Sequence, residues 1–222
     1  KEALPKLGGQ MQYGIPSYRL PREVVDKEAG YLAEAGVKVE TGCRVEAPKD
    51  LLEAYDAVLM AIGTHAGVRL PMEGNQLPGV LLNADFLRNA SMGRETGMGR
   101  RVIVLGGGNV AFDCARTAVR LGAKEIHLAC LEARDKMLAD DEEIEQAEEE
   151  GIHVHPAHTF ERICGTDHVE GVEFCNVKSF TFDENRRAVI EKEEGSAHVI
   201  QADTVIFAVG QRPEITAQAG LE

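Results

Sequence analysis

A glycine-rich turn constrains this chain more than any other feature of its sequence. Residues 102–105 form an unbroken apolar run, and residues 106–111 follow it with the pattern G-x-G-x-x-[GA]. Such a run is typical of a parallel strand that is covered on both faces. A strand that leads through this kind of turn into a helix is a signature of dinucleotide binding. We therefore expect an α/β fold built on a parallel sheet.

Each position of this turn has its own role in the prediction. Gly106 allows the tight turn, and Gly108 lets a pyrophosphate lie against bare backbone. Ala111 is small enough for the helix to pack closely on the strand. The phosphates then meet the helix N-terminus, where unpaired N–H groups and the positive end of the dipole favour negative charge. The remaining residues of the predicted phosphate site are Gly107, Asn109 and Val110.

A second apolar strand is predicted at residues 125–131, after a helix that ends at Gly122. Together with the first strand it closes a β-α-β unit of roughly 30 residues. Glu132 stands at its end, where an acidic side chain is placed to bind both hydroxyls of an adenosine ribose. The alternative is a glycine turn followed by a solvated glutamate.

The charge of Glu132 also bears on which nicotinamide coenzyme binds. NADP carries a 2′-phosphate at this ribose, and a carboxylate ~4 Å away would repel each unit of charge by roughly 4 kcal/mol at an effective dielectric of about 20. Solvent and Arg134 reduce that penalty. We therefore predict NAD(H) over NADP(H).

Composition excludes several classes of partner. The 222 residues carry a formal net charge of −13 with a pI near 5.0. This acidic balance argues against nucleic acid and anionic membranes. No apolar run approaches the ~18 residues of a membrane-spanning helix, and we expect a cytoplasmic protein. The chain begins at Lys1 without methionine, and we expect a piece of a longer polypeptide.

Metal sites are not predicted. The five cysteines form no C-x-x-C pair, so no zinc site and no iron–sulfur cluster is expected. His153 and His155 alternate with Ile152 and Val154, which favours a half-exposed strand over a ligand set. Residues 140–150 are acidic and helical in pattern, and we favour a solvated helix face over a binding surface.

Two similar strand patterns flank the nucleotide unit. Residues 55–64 and 202–213 each contain an aspartate, an apolar stretch and an A-x-G ending. Further strands are predicted at residues 37–41 and 57–62.

These features together resemble the small (β) subunit of glutamate synthase and related pyridine nucleotide–disulfide oxidoreductase-like proteins. The resemblance covers nearly all of the chain. It is carried by LPKLGG (4–9), YGIP (13–16), RLP (19–21), YDAVLMAIG (55–63), VIVLGGGNVAFD (102–113), CART (114–117), LGA (121–123) and DTVIFAVGQRP (203–213). In that family FAD and NAD(P)H bind to separate Rossmann-like domains, and the second domain is inserted into the first.

The resemblance implies a domain map. Residues 1–63 would be a partial FAD-binding domain, 64–207 the NAD(P)-binding domain, and 208–222 the start of the return to the FAD domain. Gly63 and Gly210 end the hinge strands. The flavin-side residues would be Glu2, Gly8, Gly9 and Arg19. The family's first strand and its own G-x-G-x-x-G precede Glu2, so we expect this fragment to hold no stable FAD and to be inactive alone. The strands predicted at residues 37–41 and 57–62 would then lack their neighbour, so we expect an unpaired edge and self-association.

The implied function is hydride transfer from nicotinamide to flavin, with electrons passed on to an iron–sulfur partner or a large reductase or synthase subunit. No catalytic side chain is assigned, because Asp113 and Arg116 are expected to face solvent or cap the helix. The family's NADPH-using members carry arginines where Cys130 and Glu132 stand here. The possibility that the chain is an NADH-linked relative that passes electrons to another reductase therefore stays open.

Two alternatives belong to other classes. One is a stand-alone dinucleotide-binding module without turnover. The other is a disulfide reductase of the thioredoxin reductase type, which is disfavoured because no paired cysteines accompany the nucleotide unit.

Overall fold

The computed structural model describes residues 1–184 and 188–214. They form two compact units, one of Lys1–Ala66 together with the segment that begins at Gln211, and the other of Gly67–Gly210. The return segment predicted at residues 208–222 lies partly outside the described residues.

The larger unit is built on a parallel sheet of five strands, which confirms the predicted α/β class. Its strands are β2 (Val80–Leu82), β3 (Arg101–Leu105), β4 (Glu125–Ala129), β5 (His153–His155) and β10 (Thr204–Phe207). The order across the sheet is β2-β10-β3-β4-β5, and every neighbouring pair is parallel. The central position of β3 explains why residues 102–105 are apolar without interruption.

Both faces of this sheet are covered. Three helices pack on one face: α3 (Asn83–Ser91), α4 (Asn109–Arg120) and α5 (Asp141–Glu149). Val102 and Val104 point into the core on that side, whereas Ile103 and Leu105 point into a second core on the other side. In α5, the apolar side chains of Ile144 and Ala147 are buried.

The second core lies against an antiparallel sheet in the same unit. Its strands are β6 (His158–Cys164), β7 (Gly171–Phe182), β8 (Ala188–Lys192) and β9 (His198–Gln201). The long strand β7 pairs with each of the other three. Phe174 of β7 is fully buried between the two sheets.

The smaller unit is mostly helical and loop structure. It contains α1 (Gly9–Tyr13), α2 (Arg22–Glu34) and a 3₁₀ turn at Pro48–Glu53. Tyr13 and Val25 are among the buried residues of this unit. Two further strands of two residues each are β1 (Ala66–Gly67) and β11 (Gln211–Arg212).

The strands predicted at residues 37–41 and 57–62 are wrong for the described part of the chain. Both segments are non-helical but carry no strand pairing. A strand forms only where a neighbour supplies a ladder of hydrogen bonds. The Glu2 N–H donates to the carbonyl oxygen of Glu40 at 2.8 Å, but within the described residues no ladder forms at residues 37–41 or at residues 57–62. Residues 57–62 consequently expose apolar side chains, with Leu59 at 91% of its full accessibility.

Candidate functional site

The glycine turn, residues 106–111, joins the carboxyl end of β3 to the N-terminus of α4. Gly106 has a φ of 144°, and a Cβ there would lie 2.4 Å from the carbonyl oxygen of Ala208 and 3.4 Å from the Cβ of Ala111. Only glycine fits this approach between strand and helix. Gly108 differs, because a Cβ there would meet nothing within 4 Å. The backbone at Gly108 therefore faces open space.

The N-terminus of α4 provides the electrostatics of this opening. Gly108 caps the helix in an extended conformation, and no acidic residue occupies the first turn. The unpaired N–H groups and the dipole of the helix thus favour an anion there. Val110 is 37% exposed, whereas Ala111 is fully buried against the sheet.

Asp140 holds the side chain of Asn109 beside this turn, which the sequence analysis did not predict. The Asn109 amide donates to Asp140 Oδ2 at 3.0 Å, and its Oδ1 accepts from the Asp140 backbone N–H at 3.0 Å. Next to it, the N–H of Ala139 donates to the carbonyl oxygen of Gly107 at 3.1 Å. The only sequence signal was the position of Asp140 directly before α5.

Glu132 lies beside the same turn. A Cβ on Gly107 would lie 3.1 Å from Glu132 Oε2 and 2.8 Å from the Cβ of Cys130. Burial, and then the Glu132 charge, raise the pKa of the Cys130 thiol to about 12. Cys130 therefore stays a neutral thiol and is no nucleophile.

Arg134 lies in a 3₁₀ turn, Arg134–Lys136, directly after Glu132. Its guanidinium pairs with Glu148 of α5 at 2.8 Å, and both side chains are close to half exposed. Arg134 is thus close to Glu132 in sequence, but its guanidinium is paired with Glu148 of the acidic helix α5.

The flavin-side residues lie in the smaller unit. Glu2 accepts a hydrogen bond from the Leu4 N–H at 2.8 Å through Oε1. Gly8 caps α1 with a φ of 113°, and a Cβ there would come within 2.7 Å of Val25. Gly9 begins α1, and Arg19 is partly buried in the loop that follows.

The two glycines of the predicted hinges differ in setting. Gly63 has a φ of 64° and is exposed in the smaller unit. Gly210 ends the larger unit with a φ of 127°, and its carbonyl oxygen accepts from the Val68 N–H at 3.1 Å. Gly210 thus follows β10, as predicted, whereas Gly63 follows no strand in the described residues.

Asp113 and Arg116 are buried, so the expectation that they face solvent is wrong. They are 5% and 6% exposed on the inner side of α4. Arg116 pairs with Glu143 and Glu150 of α5, each at 2.8 Å. The pKa of Glu150 is lowered by its bonds to Arg120 and Arg116. No local sequence pattern predicts this ion cluster between the two helices.

Two further findings concern the described residues as a whole. Within them no group of three or more His, Cys, Asp or Glu side chains is arranged to hold a metal ion. None of their helices has the length and apolar character required to cross a membrane.

The fold and the turn define this chain as a Rossmann-like α/β protein. Its sequence matches the model of the pyridine nucleotide-disulphide oxidoreductase family over residues 11–222. The chain belongs to that family, which confirms the resemblance recognised from the sequence.

Named relatives are longer than this chain. The β subunit of NADPH-Fe(3+) oxidoreductase from Geobacter sulfurreducens is 37% identical over 227 residues, which is 97% of this chain and 34% of that protein. The glutamate synthase (NADPH) small chain of Halomonas elongata is 35% identical over 94% of this chain and 47% of that protein. The chain thus spans about a third to a half of the curated relatives it matches.

Solved structures share the fold. FprA from Mycobacterium tuberculosis superposes with a TM-score of 0.78 at 18% identity, covering 97% of this chain and 64% of that one. Thioredoxin reductase from T. acidophilum gives a TM-score of 0.60 at 15% identity, with 96% and 68% covered. At these identities the likeness concerns the fold alone.

Proposed function

We propose that the larger unit binds NAD(P)H as part of a flavin-dependent oxidoreductase. The supporting observation is the open backbone at Gly108, which lies between the α4 N-terminus and the Glu132 carboxylate beside Gly107. A pyrophosphate fits the open backbone at the α4 N-terminus, and a ribose diol fits the Glu132 carboxylate. The proposed binding residues are Gly106, Gly107, Gly108, Asn109, Val110, Ala111, Glu132 and Arg134.

The reaction we propose is hydride transfer from the nicotinamide to FAD, followed by electron transfer to an iron–sulfur partner. The cofactors supply the redox chemistry, and the chain supplies binding and orientation. Family membership supports the oxidoreductase class. Relatives named as subunits, such as the β subunit of NADP(+)-dependent formate dehydrogenase from Moorella thermoacetica, support a partner subunit.

The proposed roles of the two units follow the family's arrangement, in which the NAD(P)H-binding domain is inserted into the FAD-binding domain. Residues 67–210 take the nicotinamide coenzyme, and the unit of Lys1–Ala66 lies on the flavin side. The proposed flavin residues of the smaller unit are Glu2, Gly8, Gly9 and Arg19, and the proposed hinge residues are Gly63 and Gly210. That the chain binds no FAD by itself stays a prediction, as does its cytoplasmic location.

The coenzyme preference is open to a direct test. The Glu132 carboxylate favours NADH, because it repels a 2′-phosphate and Arg134 is engaged by Glu148. The names of the relatives specify NADPH instead, so they do not support this preference. Titration with both coenzymes decides which effect dominates.

We also propose self-association through residues 57–62, which expose a run of apolar side chains and have unpaired backbone in the described residues. A second copy offers the same extended segment, and pairing would satisfy both backbones.

The experiment that tests the function combines binding with turnover. The chain is titrated with NADH and NADPH by calorimetry, and NAD(P)H oxidation is then followed with added FAD and an artificial acceptor. Flavin-dependent oxidation excludes the stand-alone binding module. Binding without oxidation fits both functions, because this chain is expected to be inactive alone, and absence of binding overturns both.

A further inference from the structure

Five of the seven histidines pack against one another in the larger unit. The rings of His127 and His153 lie 5.0 Å apart, and those of His127 and His155 lie 5.1 Å apart. His158 lies 5.4 Å from His155 and 5.3 Å from His198. We call these five residues the histidine cluster. It lies where the edge strand β5 meets the antiparallel sheet.

A chain of hydrogen bonds fixes the protons within the cluster. His127 Nε2 lies 3.1 Å from Glu125 Oε1, and His127 Nδ1 lies 2.8 Å from His155 Nε2. The carboxylate accepts, so Nε2 of a neutral His127 carries the hydrogen and its Nδ1 must accept from His155. A proton added at His127 Nδ1 would therefore meet the N–H of His155. Protonation breaks this bond unless the His155 tautomer also changes.

Few groups around the other rings could stabilise an added positive charge. His158 Nδ1 donates to the carbonyl oxygen of Pro156, and His198 Nδ1 donates to that of Ser196, both at 2.8 Å. Phe174 lies against both of these rings, 6.0 Å from each. Burial, and then the four neighbouring histidines, lower the pKa of His155 to about 4. Among these groups Glu125 is the one anion.

The cluster is joined directly to the proposed ribose site. The carbonyl oxygen of His155 accepts from the Cys130 N–H at 3.2 Å, and the His158 N–H donates to the Cys130 carbonyl oxygen at 2.8 Å. Between them, the Ala157 N–H donates to the carbonyl oxygen of Glu132 at 2.8 Å. Ala157 has a φ of 54°, which a residue other than glycine adopts only when its surroundings hold it there. Residues 155–158 therefore fix the backbone of residues 130–132.

We propose that the histidine cluster makes coenzyme binding at Glu132 sensitive to pH. While the rings are neutral, they stack and hold residues 155–158 against Cys130 and Glu132. Separated rings are hydrated and regain the ordinary histidine pKa near 6.5, so a falling pH favours the separated arrangement, in which the segment releases the Glu132 backbone. His155 acts as a positioning residue, because it reaches the coenzyme only through that backbone. This inference rests on the proposed binding of a dinucleotide.

ADP-ribose is the probe for the test, because it carries the pyrophosphate and the adenosine ribose but no group that titrates between pH 5.5 and 7.5. Its Kd is measured across that range by calorimetry on the whole chain. We expect the wild type to lose affinity about tenfold or more towards pH 5.5. The pH dependence flattens in His155→Gln, which retains one amide donor. His198→Gln, at an exposed ring, serves if His155→Gln does not fold, and His168→Gln outside the cluster keeps the wild-type profile.

A second measurement separates the proposed coenzyme binding from its proposed dependence on pH. The melting temperature without ligand is followed over the same pH range, and we expect it to fall in the wild type and less in His155→Gln. No ADP-ribose binding at any pH overturns the proposed function, even if the melting profile shifts. Binding with an affinity that does not change between pH 7.5 and 5.5 overturns this inference alone. A profile for His168→Gln as flat as that of His155→Gln also contradicts it.

Discussion

A Cβ on Gly106 would lie 2.4 Å from the carbonyl oxygen of Ala208, the residue that follows strand β10. The first position of the turn is therefore restricted to glycine by this backbone contact. We expect Gly106→Ala to cost about 2–4 kcal/mol of unfolding free energy, because the methyl overlaps backbone and the φ of 144° is strained. Denaturant unfolding measures the loss.

Gly108→Ala is the matched substitution. Nothing lies within 4 Å of a Cβ at Gly108, so we expect a stability within about 1 kcal/mol of the wild type. Coenzyme affinity should instead fall about tenfold or more, because the methyl occupies the place of the pyrophosphate. Equal losses of stability in both variants would contradict this division of roles.

The carboxylate of Glu132 is predicted to set the coenzyme preference. Removing its charge in Glu132→Gln should improve NADPH binding relative to NADH by about five- to tenfold, which is what a partly screened repulsion of roughly 1 kcal/mol corresponds to. The Kd values of both coenzymes for both proteins measure this. Glu145→Gln removes the same charge from the exposed part of α5 and should leave the ratio unchanged. A ratio unaltered in Glu132→Gln would refute the role of this side chain.

The ion cluster of Arg116 is predicted to stabilise the contact between α4 and α5. Arg116→Met leaves Glu143 and Glu150 without their buried cation and should cost about 3 kcal/mol. Arg134→Met removes an exposed pair with Glu148 and should cost less than about 1 kcal/mol. Urea midpoints of the two variants compare the costs, and a similar small loss for both would show that burial at Arg116 contributes nothing.

Stability should decline as the pH falls below about 6.5, the ordinary pKa of histidine. The folded state lowers the pKa of His155 to about 4, so the unfolded chain takes up the proton first and gains relative stability between these values. Glu150 acts in the same direction at lower pH, because its lowered pKa stabilises the fold above its ordinary value of 4.5. For partly exposed His155 we expect about 1–2 kcal/mol. Chemical unfolding at pH 7 and pH 5 measures it, and a smaller difference in His155→Gln assigns it.

Leu59 is predicted to promote self-association, because its side chain is 91% exposed within an apolar extended segment. Leu59→Lys should lower the apparent mass in light scattering while changing the melting temperature little. Lys49→Glu is an exposed charge change elsewhere in the same unit and should not lower the mass. A monomeric wild type would rule out this surface as a self-association site.

The nucleotide unit was the part of the fold most open to prediction, because its signals are local. Four consecutive apolar residues require burial on both faces, and the glycines at 106 and 122 mark the bounds of one helix. Both glycines take positive φ values. Residues 57–62 show the same apolar pattern but form no strand and are largely exposed, because an apolar pattern does not itself supply a pairing partner.

The histidine cluster and the ion cluster of Arg116 could not be predicted for a different reason. Alternation correctly places His153 and His155 on one face of β5, but the register that brings His127 opposite His153 is set by strand pairing far apart in sequence. Arg116 likewise meets Glu143 and Glu150 only through helix packing. Such contacts depend on tertiary geometry that no local spacing encodes.

The central claim is that a coenzyme pyrophosphate binds the backbone of the glycine turn while Glu132 binds the ribose. Calorimetric titration of the wild type and of Gly108→Ala with NADH and NADPH tests it most directly. We predict saturable binding of one coenzyme per chain in the wild type and a strongly weakened isotherm in the folded variant. No heat from either coenzyme with the wild type, or unchanged affinity in Gly108→Ala, would contradict the account.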